Sequence, residues 1–269
     1  MIDKAEKLVT DLILHCGKIL IDEWDEVEIK NIKGTLNFAT NLDLKIENFI
    51  IETLQKHFPH SNILAEESGW LNKNSDITWI IDPVDGTTNY QKRLPLFNTT
   101  IALKKDSEIV LGFTYSPVSH ELFSARKNKG AYHIKTNAHH EKISKKSMKV
   151  SEEKNLKNSR LYTELPRLHK PEDKEKGELM LALSENVFYM RSYGSAALGL
   201  AYTAFGAFEG YCDLSRTGKI WDIAAGSLLI QEAGGIVTDI SGGKFIVDKS
   251  KIVATNGHIH KELIHIINP

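Results

Sequence analysis

The sequence predicts an α+β fold built in layers, and three observations carry that expectation. Two stretches with apolar residues at helical spacing open the chain. A succession of short apolar runs separated by turn residues follows. After residue 193, helical and strand-like segments alternate. The chain has 269 residues, 41% of them hydrophobic and 26% charged, which is a globular composition large enough for one large domain or two small ones sharing a core. The change of pattern suggests an α+β half over residues 1–150 and an α/β half over 151–269.

In the first helical stretch Ala5, Leu8, Val9, Leu12, Cys16, Ile19 and Leu20 share one face within residues 2–21. A second helix is expected after Thr40-Asn41, both good capping residues, with Leu42, Ile46, Phe49, Ile50 and Leu54 on its apolar face and Pro59 just beyond its end. Strands are expected at Ile63–Ala65, Trp79–Ile81, Thr99–Leu103, Ile109–Tyr115, Glu121–Ala125 and Ala131–Ile134. Residues 135–178 are polar and lysine-rich with mixed signs, which reads as a solvated surface of loops with one helix. Beyond it come an Ala-rich helix over 196–208, a short strand at Tyr211–Asp213, a helix over Trp221–Ala233 ended by Gly234-Gly235, strands at Ile236–Asp239 and Ile252–Thr255, and a closing helix over His260–Ile267.

Several functions are disfavoured at this level. The net charge is −1, so neither nucleic acid nor an anionic membrane is an expected direct partner. No apolar run approaches the ~20 residues of a membrane span, and the charged N-terminus lacks the apolar core of a secretory signal. A cytoplasmic protein is expected. Cys16 and Cys212 form no CxxC pair and read as two reduced thiols. His139-His140 reads as part of a solvated loop, Lys145-Lys146 as surface, and Tyr193 and Phe205 as core.

The chemistry lies in acids placed where apolar runs stop. Glu66-Glu67 follow Ile63-Leu64-Ala65, Asp82 follows Trp79-Ile80-Ile81, Asp85 comes three residues later, and Asp222 opens a helix. Burying lone carboxylates is costly, and several that converge repel one another, so a divalent cation is the simplest way to hold them together. All-oxygen ligation favours magnesium, manganese or calcium over zinc. Within Asp82-Pro83-Val84-Asp85-Gly86-Thr87-Thr88-Asn89, Gly86 permits close backbone approach, and a helix starting at Gly86-Thr87 would aim free N–H groups at an anion. Metals beside an anion site are what phosphate-ester hydrolysis needs.

That segment resembles the DP(I/V)DGTxN signature of the inositol monophosphatase superfamily. Ala65-Glu66-Glu67-Ser68 resembles its GEES element, Trp221-Asp222-Ile223-Ala224-Ala225-Gly226 its WDxAAG element, and Gly194-Ser195-Ala196-Ala197 its GSAA turn. Lys33-Gly34 with Ala39-Thr40-Asn41-Leu42-Asp43 is similar to its KGxxDxVTxxD segment. The elements stand in family order over roughly residues 33 to 235, and the bacterial inositol-1-monophosphatases, including the SuhB-like members, are the most similar branch. The resemblance implies the layered α/β/α/β/α sugar-phosphatase fold shared with fructose-1,6-bisphosphatase, a homodimer, and hydrolysis of a small phosphorylated metabolite with magnesium. It implies that Glu66, Asp82 and the Val84 carbonyl hold one metal, that Asp82, Asp85 and Asp222 hold a second, and that Asp43 with Glu66 holds a weaker third. Thr87 would orient the attacking water, the Gly86 and Thr87 amides would cradle phosphate, and Gly194, Ser195, Ala196 and Asp213 would meet the substrate.

Two departures bear on specificity. Asn37 and Ala39 replace the usual Asp and Val, while the acid at Asp43 is kept. The stretch from Tyr211 to Ile220, including Arg216 and Thr217, is about two residues longer than in typical members, which carry a Glu close before WD; Asp213 stands nearest that position. Other phosphatase activities of the superfamily are therefore alternatives, on fructose 1,6-bisphosphate, NADP or 3'-phosphoadenosine phosphates. A different class of function also follows from the resemblance, because SuhB-like relatives act as partners in ribosomal RNA transcription.

Overall fold

The computed structural model describes residues 1–34, 37–165, 173–215, 218–249 and 251–268; for residues 31–34, 37 and 38 it describes the backbone alone. Lys33 and Asn37 therefore lie outside the described side chains, and Arg216 and Thr217 outside the described residues.

Helix α1 (Ile2–Asp22) is amphipathic and buries Ala5, Val9, Leu12, Ile13, Cys16 and Leu20. A short antiparallel pair, β1 (Ile29–Gly34) and β2 (Asn37–Thr40), leads into α2 (Asn41–His57). Thr40 and Asp43 form a capping box at the start of α2, satisfying orphan donors of its first turn. A large sheet follows, built from β3 (Asn62–Ala65), β4 (Gly69–Leu71), β5 (Ile77–Asp85), β6 (Asn98–Lys105), β7 (Glu108–Ser116), β8 (Glu121–Arg126), β9 (Gly130–Thr136) and β10 (Lys142–Ser147). Its order is β10-β9-β8-β7-β6-β5-β3-β4, antiparallel except where β3 runs parallel to β5. A short helix, α3 (Thr87–Gln91), leaves the end of β5.

The second half adds β11 (Arg160–Glu164), α4 (Lys174–Asn186), β12 (Tyr189–Arg191), α5 (Ala196–Ala204), β13 (Gly210–Asp213), α6 (Ile220–Glu232), β14 (Ile236–Thr238), β15 (Val253–Thr255) and α7 (His260–Ile267). Its strands form a sheet in the order β12-β11-β13-β15-β14, with β11 parallel to both neighbours.

Three apolar cores join five layers. Alternation along β5 shows how: Trp79 and Ile81 pack with α1 and α2, while Ile80 points to the other face. The second core fills the space between the large sheet, α5 and α6, and the inner face of the small sheet, where Tyr162 and Tyr211 sit. The third covers the outer face of the small sheet with α4 and α7, through Leu161, Cys212, Leu183 and Leu263. The order is helices, sheet, helices, sheet, helices, an α+β layered fold.

Two parts of the polar stretch depart from the expectation of loops. Lys142–Ser147 is the edge strand β10, with most of its residues exposed, and Arg160–Glu164 is the strand β11, paired on both sides within the small sheet. Lysines on an edge strand discourage pairing with other chains, and the same charge hides the strand from a hydrophobicity reading. His140 is buried and bonds Tyr115 Oη at 2.6 Å rather than lying in a solvated loop, and Phe205 is 43% exposed rather than core. Cys16 and Cys212 are both free and buried.

Candidate active site

The site starts from a defect in β5. The expectation that the strand stops before Asp82 is not met; it continues to Asp85, with a bulge. Residues three apart on a regular strand face opposite sides. Here Asp82 pairs with Thr100 and Asp85 with Asn98, so three steps on β5 match two on β6. The extra residue turns both aspartates to the same face, the one covered by α5 and α6. Pro83, which has no N–H for the ladder, sits in this bulge, and Thr99 Oγ1 donates to its carbonyl at 2.8 Å.

Each acid is anchored by its own donors. The Val84 amide donates to Asp82 Oδ1 at 3.0 Å. Asp85 Oδ2 accepts from Ser195 Oγ (2.7 Å), the Ala197 amide (2.8 Å) and Asn98 Nδ2 (3.1 Å). The Lys219 amide donates to Asp222 Oδ2 at 2.6 Å in the first turn of α6. Asp43 Oδ2 accepts from the Thr40 amide at 2.9 Å, and Thr87 Oγ1 reaches Asp43 Oδ1 at 3.3 Å and the Val84 carbonyl at 3.0 Å. Glu66 follows β3, its amide bonded to the Ile81 carbonyl at 3.2 Å, which fixes it beside the end of β5. In Asp82, Asp85 and Asp222 these bonds fall on one carboxylate oxygen.

Packing brings Asp222 to this group. Gly112 of β7 lets α6 approach so closely that an added Cβ would stand 2.8 Å from the Ala225 carbonyl. Gly86, at φ +92°, makes the turn between Asp85 and α3, and a Cβ there would stand 2.8 Å from the Leu96 carbonyl. Asn89 ties this turn to the next segment, its Nδ2 donating to the carbonyls of Leu96 (2.7 Å) and Tyr193 (2.5 Å), and brings Gly194 alongside. Ser195 caps α5, and Ala196 is its first residue. Asp213, at the end of β13, accepts from the Gly218 amide at 2.9 Å, and Gly218 lies between Asp213 and Asp222.

The electrostatics are those of crowded, buried acids. Burial lifts Asp82 well above the usual carboxylate range, and Glu66, Asp85, Asp222 and Asp43 each raise it further. Asp222 is raised by burial and then by Asp85. Asp85 is raised by burial against the pull of its donors. Burial pushes Asp43 up to about 6, opposed by its bonds to Thr40. The five acids named from the sequence therefore act on one another across one space. Among the described residues, no three His, Cys, Asp or Glu stand as they are in an arrangement that would grip one ion. The donor chemistry nevertheless fits a hard divalent cation. Every candidate is a carboxylate or the Val84 carbonyl, each aspartate of the central trio is anchored through one oxygen, and mutual repulsion is what a cation would relieve.

Three residues of this neighbourhood were not singled out from the sequence. Glu47, 1% exposed on α2, accepts from the Glu67 amide (2.8 Å), the Ser68 amide (2.7 Å) and Ser68 Oγ (2.5 Å). It thus suspends the turn that carries Glu66, and its only sequence signal is a charge inside the apolar stripe of α2. Replacing it by Ala leaves three donors unpaired and is expected to cost about 3 kcal/mol, or roughly 6–12 °C in melting temperature. A thermal melt with an unchanged midpoint would show that the turn holds itself. Asn98 bridges Asp85 and Ser195, donating to Ser195 Oγ at 2.8 Å, and carries no sequence signal within its strand. Glu164 ends β11, where only Leu161 and Tyr162 are apolar and Thr163 intervenes, so the rule of an acid after an apolar run does not reach it.

Comparison with known proteins agrees with this architecture. The Inositol monophosphatase family model matches residues 2–268. The chain is 37% identical over 239 residues to "Nus factor SuhB" of Pasteurella multocida, covering 88% of this chain and 85% of that protein. It is 33% identical to the inositol-1-monophosphatase of Caulobacter vibrioides, over 98% of both. Among solved structures, the extragenic suppressor protein SuhB of Bartonella henselae superposes with a TM-score of 0.88 at 32% identity, covering 98% of each chain. An IMPase of Thermotoga maritima does so at 0.85 and 28%, covering 98% of this chain and 97% of that one. With its five layers, its bulged strand and its cluster of anchored acids, the chain belongs to the inositol monophosphatase family of phosphoric monoester hydrolases.

Proposed function

We propose that this protein is a magnesium-dependent phosphomonoesterase acting on inositol monophosphate or a related sugar or polyol phosphate. The observation that carries the reading is the cluster of five acids, three buried and two half-buried, in which the other four raise Asp82, with one oxygen of each central aspartate anchored. Glu66, Asp82 and the Val84 carbonyl would hold one magnesium, Asp82, Asp85 and Asp222 a second, and Asp43 with Glu66 a third. Bound magnesium supplies charge that polarises a phosphoryl oxygen and acidifies water. Thr87 positions the attacking water: its hydroxyl donates to Val84 or Asp43, so the oxygen keeps a lone pair for the water. The Gly86 and Thr87 amides, at the start of α3, face the phosphate. Gly194, Ser195, Ala196 and Asp213 meet the rest of the substrate, with Ser195 held by Asp85 and Asn98.

The test is phosphate release from a panel of inositol, sugar, polyol and nucleotide phosphates with magnesium present. Because the segment between Asp213 and Asp222 is longer than the inositol pattern, turnover is expected on several sugar or polyol phosphates. Turnover on a single compound would refute that breadth, and turnover confined to a nucleotide would remove the inositol reading. A homodimer belongs to the same proposal. Leu181 and Phe188 stand 61% and 66% exposed, as apolar residues at a subunit contact would in one isolated chain, and light scattering reads the mass. A second reading, a binding role in transcription, is favoured by the relatives named Nus factor SuhB, and a variant without catalysis separates the two.

A further inference from the structure

The inner face of the small sheet ends in two acids. Side chains alternate along a strand, so Tyr162 and Glu164 of β11 share a face, as do Tyr211 and Asp213 of β13. Their register sets Tyr162 against Tyr211 and Glu164 against Asp213. The tyrosine rings stack at 5.8 Å and lie in the core beneath α5 and α6, while Leu161 and Cys212 face the opposite way. Glu164 and Asp213 therefore leave the carboxyl ends of neighbouring parallel strands on the side of the site, the place where open α/β sheets take ligands.

Tyr162 is the side-chain hydrogen-bond partner that acts on the Glu164 carboxyl, and it leaves one oxygen unserved. Glu164 Oε1 is buried with no hydrogen-bond partner. The carboxyl is pushed up to about 8, chiefly by burial and then by Asp85 and Asp213, which puts it within reach of the acids of the site. A second orphan accompanies it: Tyr211 is fully buried, its hydroxyl has no partner, and Asp213 and Glu164 are the charges that act on it most. Unpaired buried polar atoms are costly, and two beside each other at the end of this face point to a ligand that completes the outer one, Glu164. Tyr162 is not free for this task, because its hydroxyl donates to the Ser195 carbonyl at 2.7 Å and accepts from the Tyr193 amide at 3.0 Å.

We infer that Glu164 is a specificity-determining residue that hydrogen-bonds a hydroxyl on the alcohol part of the substrate, selecting polyol and sugar phosphates over esters without hydroxyls. The inference rests on the phosphomonoesterase reading. The phosphate end is assigned to Gly86 and Thr87, which follow Asp85 in the chain, so a separate acid that acts on Asp85 from the end of the small sheet, in register with Asp213, is placed to meet the leaving alcohol. A site built to bond a hydroxyl discriminates strongly against an analogue lacking it.

The experiment compares kcat/KM for inositol 1-phosphate and for p-nitrophenyl phosphate, which has no hydroxyl, in the wild type and two variants. In Glu164→Met the ratio of the two values is expected to fall at least ~10-fold, through KM for the inositol ester. In Glu164→Gln, which keeps the shape and an acceptor oxygen, it is expected to fall about 5-fold, and this variant reads the same ratio should the methionine variant fail to fold. The melting temperature of Glu164→Met should equal or exceed that of the wild type, because an orphaned carboxyl is gone; a structural role would lower it. An unchanged ratio, whether both activities fall together or neither moves, overturns the inference. A wild type silent on both esters would overturn the phosphomonoesterase reading and this inference with it.

Discussion

Asp82→Asn is expected to lower turnover by at least ~100-fold, the scale of losing several kcal/mol of charge stabilisation in the transition state. Asp82 is the residue that every other acid of the site acts upon, and two of the three proposed metal shells share it. The amide keeps the shape and still accepts from the Val84 amide, so the bulge should persist. The sign of the stability change is distinctive. Without added metal, the neutral amide removes repulsion with Glu66, Asp85, Asp222 and Asp43 from a buried site, so the chelated variant should melt no lower than the chelated wild type. A variant that lost both activity and stability would show a structural rather than an electrostatic role. The same variant decides between catalysis and binding. Cells lacking the protein and rescued equally by wild type and Asp82→Asn would establish the binding role as the one that matters there.

How much of this was legible in the sequence depends on whether the signal was local. The acids after Ile63–Ala65 and Trp79–Ile81 are local patterns and stand in the cluster, and Thr40-Asn41 marks the start of α2 locally, whereas the partner of Thr40 in the capping box is Asp43, which only the family resemblance singled out. The bulge at Pro83-Val84 is not local. Proline inside an apolar run argues against a strand, and only pairing with β6 rescues it, through the bond from Thr99. Without the bulge, Asp82 and Asp85 would be read onto opposite faces. The strand β10 was lost because its lysines match a solvated loop, and β11 because only Leu161 and Tyr162 of its five residues are apolar and the stretch around it is polar. Asn98 and Glu47 escaped for a further reason: their importance lies in partners 97 and about 20 residues away, and a single charge in the apolar stripe of α2 is all that marks Glu47 locally.

Activity is expected to vanish on exhaustive chelation and to return with magnesium more steeply than a single-site curve allows. Zinc should not be the best activator, since no His or Cys belongs to the cluster. The steepness follows from the donors. Asp82 would serve two ions at once, while a third rests on Asp43 and Glu66 alone within the protein. Magnesium binds weakly where few carboxylates serve it, so the weaker positions should fill only as substrate phosphate adds its oxygens. High magnesium should then slow release of product phosphate, and lithium in the tens of millimolar, an order-of-magnitude choice for a weakly held ion, should inhibit by occupying the second position. A simple hyperbola in magnesium would remove the shared-ligand arrangement; an absent lithium effect would remove only the trapping of product. Melting provides a readout free of turnover. Asp43 is raised from 3.8 to about 6, and Asp82 and Asp222 are raised as well, chiefly by burial, so the folded protein holds more protons than the unfolded chain through this range. These groups therefore stabilise the chelated fold progressively as pH falls from above 6 toward 4, and that contribution is lost as pH rises. Magnesium requires the ionised carboxylates, so its stabilisation runs the other way, largest above pH 7 and fading toward pH 5. Scanning melts with and without magnesium across this range should show the gap between the two curves widening with pH, and a gap that stayed constant would mean that the ions bind somewhere other than among these acids.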